Sequence, residues 1–176
     1  MGMSADETNT QEFYDRETRG REGGLVRAAR ILPLATVAAW IVTIFVPVLD
    51  SGNVDGPRMR ITSLGYSPVD PTDLDPGMVS VWVLILASAV LPWLVGAPRW
   101  WSVATLLIGV TVLMGLAAAV IDPPIMMWDG QTDDGMPTGG MEVARPAMGF
   151  VLSAVGGLAL VAAGICGWTG RRRPNE

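Results

Sequence analysis

Hydrophobic positions in this chain are gathered into four uncharged blocks, residues 31–49, 78–97, 101–121 and 146–168, instead of being spread in the amphipathic periodicities of a soluble domain. At about 1.5 Å per residue, each block written as a helix is about long enough for the roughly 30 Å hydrocarbon core of a bilayer. The pattern predicts an all-α membrane protein with four transmembrane helices. Only residues 98–100 separate the second block from the third, so those two helices form a hairpin. Arg99 is the charge of that turn, and Trp93, Trp100 and Trp101 flank it as interfacial aromatics do. The remaining segments are polar: a tail over 1–30, loops over 50–77 and 122–145, and a short tail over 169–176.

The first tail mixes Asp6, Glu7, Glu12, Asp15, Glu17 and Glu22 with Arg16, Arg19, Arg21, Arg27 and Arg30. With so little apolar surface to offset the ordering entropy, it is expected to be disordered up to about Gly24. Arg27 and Arg30 mark the membrane edge. The first block is too long for a cleavable signal peptide, and no A-x-A site follows it. Pro33 is expected in its first turn, where a missing N–H costs nothing, and Pro47 in its last.

In the first loop, Pro57, Pro68, Pro71 and Pro76 exclude a long helix, and residues 58–66 show the weak alternation of a short strand and turn. Asp70, Asp73 and Asp75 lack the every-second-residue spacing of an EF-hand. Asp75 followed by Pro76 reads instead as a helix N-cap and first helical position.

Small residues suggest how the helices pack. At 100° per residue, Gly149, Ser153, Gly156, Gly157, Ala163, Gly164 and Gly167 share about a third of the circumference of the fourth block, interrupted only by Leu160. Phe150, Val151, Val155, Leu158, Val161 and Ile165 cover the other side. In the third block Ala104, Thr111, Gly115 and Ala118 form a shorter seam. Such faces let helix backbones approach closely in lipid.

Charge sets the expected orientation. All twelve basic residues are arginine, a codon bias of high-GC, bacterial type, and the net charge is −5. With both termini and the Arg99 turn inside, nine of the twelve arginines are cytoplasmic, including Arg27, Arg30, Arg171, Arg172 and Arg173. The two outer loops hold the other three and ten acids. The reading is a multi-pass protein of the plasma (inner) membrane, N-in and C-in. Nothing in the charge pattern points to nucleic acid as a partner.

Candidate chemistry is sparse. The chain has no histidine, which removes the commonest general base and metal ligand, and its one cysteine, Cys166, reads as a small packing residue. No charged residue falls within a block, against an ion-coupled transporter, a proton relay or an intramembrane protease. No phosphate loop, dinucleotide fingerprint or nucleophile elbow is present, so no catalytic, cofactor-binding or metal-ligating residue is named. Met126, Met127, Met136 and Met141 would be soft ligands for Cu(I), but without histidine or an M-x-x-M series an interfacial apolar segment over 125–128 is the preferred reading.

The short turn bearing Arg99 and the Gly-rich last block ending in Arg171, Arg172 and Arg173 give a layout that resembles, in outline, the small four-span conserved membrane proteins found beside tryptophan genes in high-GC Gram-positive bacteria. Those features are generic to small membrane proteins, and the resemblance implies no chemistry.

The expectation is therefore a structural or accessory subunit, embedded in the lipid bilayer and packing through its fourth helix against a larger membrane complex or itself. An oligomeric small-solute pore or transporter with acidic outer loops is the alternative. Topology is directly testable. A reporter active only outside the cytoplasm should work when fused after Gly65 or Gly135 and fail after Gly96 or Glu176; activity at Glu176 would overturn the even number of spans.

Overall fold

Asp75 shows how one loop hands the chain to a helix. Its carboxylate accepts the backbone N–H groups of Gly77 at 2.7 Å and Met78 at 3.1 Å, satisfying two donors that the first helical turn leaves unpaired. The helix it caps, α2 (Pro76–Leu94), carries Pro76 at its first position, as the sequence predicts. The computed structural model describes residues 5–52, 58–66, 75–94, 98–130 and 139–170, with side chains from Gly24 onward and that of Trp128 excepted. The other helices are α1 (Ala5–Phe45), α3 (Arg99–Ile121) and α4 (Met148–Thr169). Four helical segments are long and apolar enough to cross a membrane: Gly24–Phe45, Pro76–Leu94, Arg99–Ile121 and Met148–Thr169.

Two expectations for the first helix need correction. The tail expected to be disordered up to Gly24 is helical from Ala5, and the helix runs unbroken through the first span to end at Phe45, short of the expected Leu49. The spacing offers a reason, since Glu12/Arg16, Asp15/Arg19 and Glu17/Arg21 stand four residues apart, the arrangement in which opposite charges support a helix. Pro33 accordingly lies deep inside α1 and not in a first turn. There its ring removes one rung of the hydrogen-bond ladder. Pro47 follows the helix instead of closing it.

The loops are not wholly irregular, so the chain is mostly helical and not all-α. A four-stranded antiparallel sheet runs β3-β2-β1-β6, from β1 (Leu49–Asp50), β2 (Arg60–Thr62), β3 (Gly65–Tyr66) and β6 (Arg145–Pro146). The weak alternation over 58–66 thus does form a strand and turn. A separate hairpin pairs β4 (Ile125–Trp128) with β5 (Gly140–Val143), Met127 opposite Met141 and Met126 opposite Glu142. The methionines weighed as copper ligands therefore divide between the two faces of the ribbon, and Met136 lies outside the described residues.

β1 leaves α1 directly and β6 leads directly into α4, so their pairing ties those two helices together at one end. Ala147 N–H donates to Val48 O at 2.9 Å and Gly149 N–H to Pro47 O at 3.0 Å. At the opposite end, Arg30 lies 6.0 Å from the Trp93 ring, and Gly170 sits against Leu25 and Val26. The chain thus has a sheet end and an arginine end. Arg27, Arg30 and Arg99 are at the latter, while Arg171, Arg172 and Arg173 fall outside the described residues.

Asp50 is the electrostatic centre of the sheet. It stands opposite Arg60 on one neighbouring strand and Arg145 on the other, and accepts the Arg58 Nε–H at 2.8 Å. Those hydrogen bonds to Arg58 hold its carboxyl below the ordinary value of 3.8, with the Gly52 N–H and the charges of Arg58 and Arg60 adding to the effect against partial burial. A carboxyl whose folded pKa is depressed stabilises the fold above its unfolded pKa, and that contribution is lost as pH falls through the folded value. Protection of the Ser51 amide, bonded to Met59 O at 3.0 Å, should fall below about pH 4 relative to its intrinsic exchange rate. Hydrogen exchange of Asp50→Asn should show low protection throughout that range.

Candidate functional site

Side-chain size decides where α4 sits. Its buried residues are Gly149, Ser153, Gly156, Gly157, Leu160, Ala163, Gly164 and Gly167, the stripe expected from sequence, and they face α1 and α3 of the same chain. A Cβ on Gly149 would lie 2.6 Å from the carbonyl oxygens of Val46 and Pro47; one on Gly164 would lie 2.6 Å from Leu106 Cβ and 2.7 Å from Ser102 O. From the other side, a Cβ on Gly109 would meet Val161 N at 2.8 Å and Gly157 O at 2.9 Å. The backbones of α3 and α4 are in van der Waals contact there. Between α1 and α4, Thr36 donates to Gly156 O at 3.0 Å, an interhelical hydrogen bond of a kind worth about 0.6 kcal/mol on average in lipid.

The seam expected on α3 is not the face that α3 buries within the chain. Its buried face consists of Trp101, Ser102, Thr105, Gly109 and Val112, whereas Thr111, Gly115 and Ala118 are exposed and Ala104 is half-buried. Two faces of α3 carry small residues, and spacing does not distinguish them. Gly109 decided the matter, because it is the one that meets the glycine stripe of α4. A Cβ on Gly115 would touch nothing within 4 Å.

Gly115 opens onto a cavity. Its volume is about 280 Å3, with walls from Trp40 of α1, Val81 of α2, Val112 and Leu116 of α3 and Ser153 of α4, under a roof that includes Leu49 and Ile61 of the sheet. The cavity exists because α2 is held unevenly. Its buried positions, Ile85, Ser88, Ala89 and Pro92, all lie in its second half, where Trp101 Nε1–H donates to Ser88 O at 3.1 Å. Its first half is secured chiefly by Trp82, whose ring meets Trp40 edge-on at 5.8 Å and whose indole N–H donates to Ser63 O at 3.0 Å.

The roof turns its polar atoms inward on themselves. Ser63 N–H donates to Thr43 O at 3.2 Å, Thr62 Oγ1 donates to Gly65 O at 3.0 Å, and Leu64 N–H donates to Thr62 Oγ1 at 3.3 Å. Trp40 is packed between helices, only 6% exposed, with its indole nitrogen directed against Gly156 and unpaired among the described residues. Cys166 is half-buried beside Ala29 and Trp101, in the packing role expected of it. No cavity of this kind was legible in the sequence; its only trace was a small residue, Gly115, on a face that the packing of α3 left free.

No family model, curated protein or solved structure matches the chain.

The glycine contacts rank three substitutions. Gly164→Ala should be the most damaging, costing about 1–3 kcal/mol of overpacking, because backbone atoms of α3 block the added carbon. Gly157→Ala should cost less, since the obstructing atom is the movable end of Leu113 at 2.9 Å. Gly115→Ala should be neutral or stabilising by up to about 1 kcal/mol from helix propensity. Unfolding of the purified variants in mixed micelles would test that order, with Leu158→Ala on the exposed side of α4 close to wild type.

Proposed function

We propose that this protein is a non-catalytic structural or accessory subunit of a membrane assembly, and that it meets its partner, or a second copy, through the outer side of α3. The plasma membrane, with both termini inside, is the setting that the arginine distribution supports. The glycine stripe of α4 is occupied by α1 and α3 and is not free for a partner, so the partner surface expected from sequence has to move. One observation carries the revised reading. Thr111, Gly115 and Ala118, small enough for close helix approach, are exposed on α3, and a Cβ at Gly115 meets open space.

The interior supports a structural role over a catalytic or conducting one. Three buried hydroxyls are spent on the chain's own backbone, Thr36 on Gly156 O, Thr43 on Trp40 O and Ser88 on Ile85 O, while those of Ser102 and Thr105 are buried without a partner among the described residues. The spans carry no Asp, Glu, Lys, Arg or His between Ile31 and Phe45, in α2, in α3 beyond Arg99 or in α4. The alternative of an oligomeric pore draws no support from a wall so apolar, since a conducted solute needs polar groups along its path.

Site-specific photocrosslinking in native membranes tests the surface. A photoreactive residue at Val110 or Met114, exposed beside the small-residue face, should give one discrete protein adduct; the same residue at Val155 or Leu158 on α4 should react with lipid alone. Adducts only with lipid at all four positions would refute the subunit reading.

A further inference from the structure

We infer that the cavity between α2 and α3 is a binding site for a single hydrocarbon chain of a membrane lipid, entering from the outer side of α3. The inference goes beyond the subunit role and does not require it.

Size and polarity choose the occupant. A cavity of about 280 Å3 is roughly twice the size of the apolar cavities of about 150 Å3 that stay dry and take up a benzene ring. Water in such a space needs two to four polar partners, and the polar atoms of the roof are already engaged with Thr43, Gly65, Leu64 and Trp82. A helix from a partner does not fit: it measures about 10–12 Å across, so a single turn displaces more than about 400 Å3. A flexible, unbranched hydrocarbon chain meets both conditions.

Position chooses its source. The α3 wall runs from Thr111, near the middle of that helix, to Ala119 close to its end. At about 1.5 Å per residue this covers about 12 Å, close to the depth of one leaflet of a roughly 30 Å hydrocarbon core. Thr111 and Gly115 are both wall residues and exposed, and they adjoin Val110 and Met114 on the apolar outer surface of α3. The cavity is therefore continuous with the membrane-facing side of α3. The wall is almost wholly apolar, with the Trp40 indole nitrogen, packed against Gly156, its buried polar atom without a partner among the described residues, so the recognised part is the chain, while the headgroup stays outside under the sheet.

The test uses the full-length protein in vesicles of phosphatidylcholine containing a phosphatidylcholine with a diazirine on one acyl chain, and maps photolabelled residues by mass spectrometry. Val112 and Ser153 are buried wall residues, 7% and 2% exposed, that bulk lipid does not reach. Val155 and Leu158, on the outside of α4, report ordinary lipid contact and folding. Wild type should be labelled at all four. Gly115→Leu, which fills the cavity from its open wall, should lose the label at Val112 and Ser153 and keep it at Val155 and Leu158; Thr111→Leu, on the same wall, replaces it should the first variant fail to fold. Absence of label at Val112 and Ser153 in wild type, with Val155 and Leu158 labelled, overturns the inference. So does labelling there that persists in the filled variant.

Discussion

Helices in a bilayer gain little by hiding apolar surface from one another, because the lipid tails they displace are as apolar as their own side chains. What α4 offers instead is the absence of side chains. Gly157 and Gly164 let α3 come close enough for backbone atoms to touch, Gly149 admits the backbone of Val46 and Pro47 just beyond α1, and Gly156 makes room for the Trp40 and Thr36 side chains of α1, where Thr36 adds a hydrogen bond. The close contacts of α1 and α3 with α4 therefore set the frame. The remaining helix, α2, joins on the terms that this frame leaves available, with its second half buried near the arginine end and its first half held off.

The small sheet belongs to the same frame. β1 and β6 pair because α1 ends and α4 begins at the same point, and the strands continue the helix contact for two residues beyond the helices. Register then places Asp50 between Arg60 and Arg145 on the neighbouring strands, and its carboxylate pairs with Arg58 and Arg60. Exposed ion pairs of this kind contribute little stability each. Their effect is on register, since a slip by one residue would turn Leu49 and Ile61 away from the space between the helices.

That space is where fold and function meet. Trp82 ties the first half of α2 to the Ser63 carbonyl without drawing it onto α3, and Gly115 supplies no side chain to fill the gap. A helix with a larger residue at position 115 would close the opening. The same smoothness that α4 uses for contact within the chain leaves, on α3, a small-residue surface exposed to the membrane beside the cavity.

The sequence alone determined four apolar helical segments, the Asp75 cap and the packing stripe of α4, because each rests on local chemistry or on a period of 3.6 residues within one segment. It misjudged the tail, whose composition reads as disordered while its charge spacing suits the helix that begins at Ala5. The four-residue hairpin strands went unseen because Ile125–Trp128 has no alternation to mark it. Only the tertiary structure decided which small face of α3 is buried, that Arg58 and Arg60 pair with Asp50, and that a cavity opens at Gly115. Each of these depends on which residues distant in sequence come to lie opposite one another, and periodicity within a single helix carries no record of that.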